Sequence, residues 1–281
     1  MTVEFRTSAA GLRWMRRTLL ATAAAVALAA CSSDNEPDAY VERPVEELYN
    51  IAMADVGEGN YEQAAKSFDE VERQHPYSSW ATRAQLMSAY SYYEAEKYDD
   101  AIIALDRFIQ LHPGNPDVPY AYYLKALSYY EQISSVGRDQ KMTRLAYDAL
   151  QDVINRFPTS EYARDAKLKL DLTVDHMAGK EMDVGRYYLK QKQYLAAVNR
   201  FKSVVEVYQT TSHVPEALYR LVEAYALLGM QTEAMKTAAV LGHNYPGSEW
   251  YEDAYAVAQG GQPVTDTAQD SGWLPSLPAL W

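Results

Sequence analysis

The sequence predicts an all-α fold made of five stacked helix-turn-helix repeats. Three observations predict it: a recurring small residue, apolar residues four and seven positions after it, and a proline that closes the unit. The small residues are Ala64, Ala101, Ala146, Ala197 and Ala234, and the closing positions are Pro76, Pro113, Pro158, Gln209 and Pro246. Spacings of four and three place side chains on one helical face, and a proline ends the helix.

The small residue belongs to the second helix of each unit. Its apolar face continues with Phe68, Leu105, Leu150, Phe201 and Ala238, then with Val71, Phe108, Val153, Val204 and Leu241. The first helix is marked by Ala52, Ala89, Ala126, Gly185 and Val222, followed three residues later by Asp55, Tyr92, Tyr129, Tyr188 and Tyr225. These positions resemble the tetratricopeptide repeat, in which small residues let two helices approach closely. The resemblance implies a right-handed solenoid of five repeats, and a bundle without repeats is the alternative.

Two insertions interrupt the repeat spacing. The third unit has eight extra residues, which we place around Ser134–Asp139. A further 14 residues separate the third and fourth units, within a stretch from Glu161 to Ala178 of helix-forming composition. The preceding pair Thr159-Ser160 is a plausible N-cap. We therefore predict a longer helix at this place.

The N-terminus has the pattern of a lipoprotein signal peptide. Three arginines precede a mainly apolar run from Leu19 to Ala30, and then comes Cys31, the only cysteine in the chain. The string Leu28–Cys31 resembles the lipobox, which implies cleavage after residue 30 and a diacylglyceryl group and N-acyl chain on Cys31. Met15 is an alternative start to Met1, and an ordinary signal peptide or a buried helix of small residues is the alternative interpretation. Residues 31–44 are polar and acidic, and we predict a flexible tether.

The composition excludes several classes of function. Cleavage after residue 30 leaves 22 basic against 37 acidic residues, so nucleic acid is a poor partner. No later segment reaches 18 consecutive apolar residues, so membrane attachment is expected through lipid only. The five histidines are scattered, and no metal-binding or catalytic motif occurs. We therefore predict a protein that is not an enzyme and that has no cofactor apart from the covalent lipid.

The whole arrangement resembles the BamD family, also called ComL or YfiO, over about residues 28–250. The resemblance is carried by the lipobox, the two insertions, and the strings DRFIQLHPGNPDVPYAYYLKALSYY, GRDQ and VGRYYLKQKQYLAAVNRFKSVVEVYQTT. It implies a lipoprotein of the outer membrane, facing the periplasm, in the β-barrel assembly machinery (BAM complex). The implied partners are BamA, other BAM-complex subunits and unfolded outer-membrane proteins. The alternative is a repeat lipoprotein that scaffolds peptidoglycan or division machinery.

Tyrosines are concentrated on the first helices of the first three repeats. The positions expected to face the concave groove include Tyr49, Met53, Arg83, Tyr90, Tyr93, Tyr120, Tyr123 and Tyr130. Tyrosine combines a large rigid contact area with a hydroxyl, which favours peptide binding. We therefore predict a substrate-groove half at 45–158 and a partner-binding half at 159–258. The alternative is that some of these rings pack between repeats.

One arginine and the C-terminal tail complete the predicted sites. Arg200 lies in an AVNRF string that resembles the family's VNR segment, which implies a contact with BamA. The alternative is that Arg200 only pairs with Glu206 or another nearby acid. Residues 259–281 have the Gly, Pro and polar content of disorder. The alternative is that the tail docks on a partner through Trp273, Leu274, Leu277, Leu280 and Trp281.

Overall fold

The structure, a computed structural model, describes residues 42–261 and contains eleven α-helices and no strand within them. The helices are α1 (Val45–Gly57), α2 (Tyr61–Gln74), α3 (Ser79–Glu94), α4 (Tyr98–Leu111), α5 (Val118–Tyr130), α6 (Lys141–Arg156), α7 (Glu161–Lys190), α8 (Tyr194–Val207), α9 (Val214–Leu227), α10 (Gln231–Asn244) and α11 (Glu249–Ala258). From Pro44 onward the described residues form one compact unit. Cys31, the signal peptide and most of the tail lie outside the described residues.

The helices are arranged as successive pairs. Each helix packs against the next one along the chain, and α11 packs on both α9 and α10. The first helices of neighbouring pairs (α1, α3, α5, α7 and α9) also contact one another, whereas among the described residues the second helices do not. The first helices therefore form one continuous layer, as in a stack of tetratricopeptide-type pairs. The prediction of an all-α fold of this type is confirmed.

The small residues allow close helix packing. Those of both helices are buried in every pair, and the apolar residues four and seven positions after the second one are buried as well. Gly185 shows why a small residue is needed. A Cβ atom at this glycine would lie 2.4 Å from Cε1 of Phe201 on α8. The repeat pattern in the sequence therefore corresponds to a physical contact between paired helices.

The second helix ends at the same place in all five pairs. Each of α2, α4, α6, α8 and α10 ends two residues before the closing position. The intervening C-cap residue is His75, His112, Phe157, Tyr208 or Tyr245. The fourth pair has Gln209 instead of proline and still ends at Val207. Proline is therefore not required for the helix end in this pair.

Both predicted insertions are confirmed. Residues 131–140 connect α5 to α6 without helix, and α7 is a single helix of 30 residues. Its N-cap is Ser160, whose Oγ accepts a hydrogen bond from the backbone N–H of Ala163 at 3.2 Å. The inserted loop packs on the middle of α7, because Lys180 Nζ donates to the carbonyl oxygen of Gly137 at 3.2 Å. The long helix thus links the third and fourth pairs.

The turns within four pairs share one backbone conformation. The residue five positions before the small residue of the second helix has a positive φ: 77° at Gly59, 58° at Glu96, 60° at Lys192 and 74° at Gly229. Glycine adopts this left-handed region freely, whereas other residues pay a conformational cost. Two of the four turns are therefore strained relative to the glycine turns. None of the helices within residues 42–261 combines the length and the apolar composition of a membrane span.

Candidate peptide-binding groove and partner surface

Four of the predicted groove tyrosines lie together in the structure. Tyr90 and Tyr93 lie on α3 and Tyr120 and Tyr123 lie on α5, and all four are half-buried. They influence one another's pKa: Tyr90 acts on Tyr120, and Tyr93 acts on both α5 tyrosines. The two adjacent first helices therefore present one tyrosine cluster.

A fifth tyrosine joins this cluster from α7. The ring of Tyr162 is 5.6 Å from the ring of Tyr120 and 5.4 Å from the ring of Tyr123, with which it stacks at 25°. Tyr162 is not among the predicted groove residues, because the groove positions of the fourth pair are counted from Gly185, 23 residues further along the chain. Counting forward from Pro158 would have found it, since Trp80, Tyr162 and Trp250 each stand four residues after a closing proline.

The aromatic residue four positions after a closing proline makes a recurring contact between neighbouring pairs. Tyr49 is 4.9 Å from Trp80, and Tyr219 stacks on Trp250 at 5.3 Å, in the same relation as Tyr123 to Tyr162. Each tyrosine is three residues before the small residue of its first helix, so both side chains lie on one helical face. Tyr49 and Tyr123 therefore pack between repeats, as the alternative interpretation of the tyrosine positions expects.

Burial keeps the phenol groups of the cluster neutral. It raises the pKa of Tyr93 to about 12, and the nearby Glu131 acts in the same direction. Burial also raises the pKa of Tyr90, Tyr120 and Tyr123, and Glu94 and Asp165 add to the effect at Tyr90 and Tyr123 respectively. The hydroxyls therefore remain hydrogen-bond donors throughout the physiological pH range.

Tyr130 is connected to the cluster through a charged pair. The hydroxyl of Tyr123 donates to Oδ2 of Asp165, and the same carboxylate oxygen lies 3.9 Å from Nζ of Lys169. Lys169 Nζ stands 5.0 Å from the centre of the Tyr130 ring, in cation–π geometry. Residues of α7 therefore hold the two α5 tyrosines in place.

Three predicted groove residues lie on the first two pairs, away from the five-ring cluster. Tyr49 packs on Phe68 and Trp80, and burial raises its pKa, while Arg83 lowers it. Arg83 is therefore close to the Tyr49 hydroxyl. Met53 is exposed. None of the three makes a ring contact with the α5 tyrosines.

The equivalent surface of the last two pairs is closed. Tyr219 and Met182 are fully buried there, and the groove positions at Arg186 and Glu216 form an ion pair at 2.9 and 3.0 Å. Arg220 is 3 % exposed and donates to Glu223 at 3.0 Å. The half-buried tyrosine cluster therefore belongs to the first three pairs and the N-terminal part of α7.

Arg200 lies at an open cleft between α7 and α8. The cleft has a volume of about 400 Å³ and is lined by Glu181, Tyr188, Ala196, Asn199, Arg200 and Ser203. Nη1 of Arg200 donates to both carboxylate oxygens of Glu181, at 3.4 and 3.1 Å. The acid is therefore not Glu206, which lies six positions away on a different helical face, and the alternative of a pair with another nearby acid describes the contact. The partner is on the neighbouring helix.

Glu181 fixes the charge and direction of Arg200 without covering it. Hydrogen bonding and charge attraction from Glu181 raise the pKa of Arg200. The Arg200 side chain is 44 % exposed, against 21 % for Glu181. A guanidinium has five N–H donors, and Nη1 alone makes the contacts to Glu181. Arg200 can therefore offer further donors to a docked carboxylate.

Comparison with known proteins gives a consistent result. Residues 41–241 match the family described as YfiO, outer membrane lipoprotein. The chain is 52 % identical over 240 residues to the "outer membrane protein assembly factor BamD" of Caulobacter vibrioides, covering 85 % of this chain and 79 % of the relative. The protein of the same name from Rickettsia prowazekii is 48 % identical over 232 residues, covering 83 % and 92 %. That of a Neisseria meningitidis serogroup A strain is 36 % identical over 255 residues, covering 86 % and 96 %.

Proposed function

The chain belongs to the YfiO family of outer membrane lipoproteins, and we propose that it is a subunit of the machinery that assembles β-barrel proteins in the outer membrane. In this role it is a non-enzymatic scaffold, anchored by lipid on Cys31 and facing the periplasm. It binds the periplasmic domains of BamA and receives unfolded outer-membrane proteins. The relatives are named as outer membrane protein assembly factors, which supports this role. Their names do not support a peptidoglycan or division scaffold.

The tyrosine cluster is the observation that carries the proposed client binding. An extended peptide brings unpaired backbone N–H and C=O groups, which need partners when they leave water. The phenols of Tyr93 and Tyr120 can donate to the carbonyl groups. The nearby carboxylates of Glu94 and Glu131 can accept from the N–H groups. The ring faces offer stacking surface for aromatic side chains of the client. The cluster therefore suits an extended segment that ends in an aromatic residue.

Replacing Tyr90 and Tyr93 by alanine tests this client binding. Both rings belong to the cluster, and neither makes the tyrosine contact to the next pair that Tyr49 and Tyr123 make. We expect the double variant to lose about 1 to 2 kcal/mol of affinity for a peptide ending in an aromatic residue, because tyrosines are often interface hot spots. Titration of a labelled peptide, monitored by fluorescence anisotropy, measures the affinity.

Tyr49→Ala is the matched control for this experiment. It removes the same side chain from the same layer of first helices, but its ring packs on Phe68 and Trp80 outside the cluster. We expect it to lower the melting temperature and to leave the peptide affinity of the folded protein unchanged. Tyr93→Phe then separates the hydroxyl from the ring. Equal peptide affinity of the wild type and a folded Tyr90→Ala, Tyr93→Ala variant would rule out the cluster as the client site.

Arg200 supports the proposed contact with BamA. Its exposed guanidinium stands at the edge of the cleft, where a bidentate pair with a carboxylate would fix the orientation of a docked domain. Arg200→Glu should weaken capture of purified BamA periplasmic domains. This change also places two acids together, so the second variant combines Arg200→Glu with Glu181→Arg, which restores an ion pair within the chain and moves the positive charge to α7.

The two variants separate a partner contact from an internal one. If Arg200 contacts BamA, both variants bind weakly, because neither has a positive charge at position 200. If Arg200 only stabilises the packing of α8 on α7, the exchanged pair recovers full capture. Full capture by the exchanged pair would therefore remove Arg200 from the partner surface.

A further inference from the structure

An exposed apolar patch lies at the end of the last helix pair. It consists of Leu227, Leu228 and Met230 at the turn between α9 and α10 and of Met235 one turn into α10. We call it the C-terminal patch. Their exposed fractions are 44, 38, 40 and 55 %. Three of the four lie within four consecutive residues at this turn. Clusters of exposed apolar residues commonly mark docking sites.

The chain leaves the described structure beside this patch. The side-chain amide of Gln231 donates to the carbonyl oxygen of Ala258, the last residue of α11. Gln231 follows Met230 directly and shares a helical face with Met235. Residues 259–261 continue from that point, and Gly261 is the last described residue. The start of the tail is therefore fixed next to the C-terminal patch.

The remaining 20 residues contain a matching apolar segment. Residues 273–281 read WLPSLPALW, with two tryptophans and three leucines and no charged side chain. The patch has no charged side chain either. Eleven residues separate Gly261 from Trp273, and a flexible chain of this length spans about 17 to 20 Å root-mean-square. Tethering at this distance gives an effective concentration in the millimolar range, so a weak apolar contact suffices for occupancy.

We propose that residues 273–281 dock on the C-terminal patch of the same molecule and cover Met230 and Met235. The contact removes apolar side chains on both partners from water. This inference goes beyond the proposed function and does not depend on it.

Methionine oxidation provides a direct test on the full-length protein. Hydrogen peroxide converts exposed methionines to sulfoxide, and mass spectrometry gives the rate for each residue. Met53 on α1 is 39 % exposed, nearly the same as Met230, and is the internal reference. We expect Met230 and Met235 to react at least about three-fold more slowly than Met53 in the full chain. Changing Trp273 and Trp281 to Ala should bring Met230 to the rate of Met53.

Two further measurements keep the outcome unambiguous. The protection of Met230 must persist on 50-fold dilution, because docking within one molecule does not depend on concentration; loss of protection on dilution would mean docking on a second copy and would overturn the proposal. A chain ended at Gly261 should show the same rates as the double tryptophan variant. Equal Met230 rates in the full chain and in both variants would also overturn it. Circular dichroism confirms that each variant is folded.

Discussion

Gly185→Ala is the most direct perturbation of the packing within a helix pair. The added Cβ would lie 2.4 Å from Cε1 of Phe201 and 2.8 Å from two further ring atoms, where ordinary carbon contacts are about 3.5 to 4.0 Å. The Phe201 ring is fully buried, so it cannot move into solvent. Overpacking of this kind costs about 1 to 3 kcal/mol, and this overlap favours the upper end.

Helix propensity opposes part of this cost. Alanine is favoured over glycine within a helix by about 1 kcal/mol, so the net loss of stability should be about 1 to 2 kcal/mol. For a domain of this size, 1 kcal/mol corresponds to about 2 to 4 °C in melting temperature. We therefore expect Gly185→Ala to lower the melting temperature by roughly 2 to 8 °C, measured by circular dichroism at 222 nm.

In a protein that already carries Phe201→Leu, the effect of Gly185→Ala on stability should change sign. Phe201→Leu removes the ring atoms that the new methyl group would meet, so Gly185→Ala added to it should be neutral or stabilising. Gly57→Ala is the control, because nothing lies within 4 Å of a Cβ at that position. It should leave the melting temperature unchanged or raise it slightly. A rise in melting temperature for Gly185→Ala in the wild-type background would refute the contact between the small residue and the ring.

Three further predictions concern turns, charge and the anchor. Glu96→Gly should stabilise the protein by about 1 kcal/mol in denaturant titrations, and Gly59→Ala should destabilise it by a similar amount. The reason is that residues 96 and 59 both have a positive φ, which favours glycine. Changes in stability of the opposite signs would exclude backbone strain at these turns. Hydrogen bonding and charge attraction from Lys97 and Lys66 lower the pKa of Glu62 to about 2, so the contribution of these pairings is complete above pH 4.5 and is lost as the pH falls through 2. An NMR titration of the Glu62 carboxyl should show this midpoint, and Lys97→Ala should move it upward; an unmoved midpoint would contradict the assignment. Cys31→Ala should release the protein from outer-membrane fractions or leave an uncleaved precursor, whereas equal membrane association and no lipid mass on the wild-type N-terminus would exclude the anchor.

The repeat architecture could be predicted because its contacts recur at fixed spacing. The small residues at positions such as Ala64 and Ala101 are buried in every pair, so the recurring pattern of small and apolar positions carries the fold. The two insertions could be located for the same reason, as an excess over a constant spacing. The long helix α7 followed from its composition and from the N-cap at Ser160.

The details of the candidate sites could not be predicted in the same way. Tyr162 lies in the inserted part of α7, where the repeat register is shifted, so it was not aligned with Trp80. The pairing of Arg200 with Glu181 joins two helices at a distance of 19 residues, and a pattern along one helix does not contain it. In the last two pairs the groove positions of the first helices are largely buried. This burial depends on how α9 packs against its neighbours, which is a tertiary property.

The central claim is that this chain is a scaffold for β-barrel assembly in the outer membrane. Affinity purification of the tagged full chain from detergent-solubilised membranes, with identification of the retained proteins by mass spectrometry, tests it most directly. We expect recovery of a β-barrel protein that carries periplasmic domains, with less of it retained by the Arg200→Glu variant. Recovery of cell-wall enzymes alone, without such a barrel protein, would contradict it.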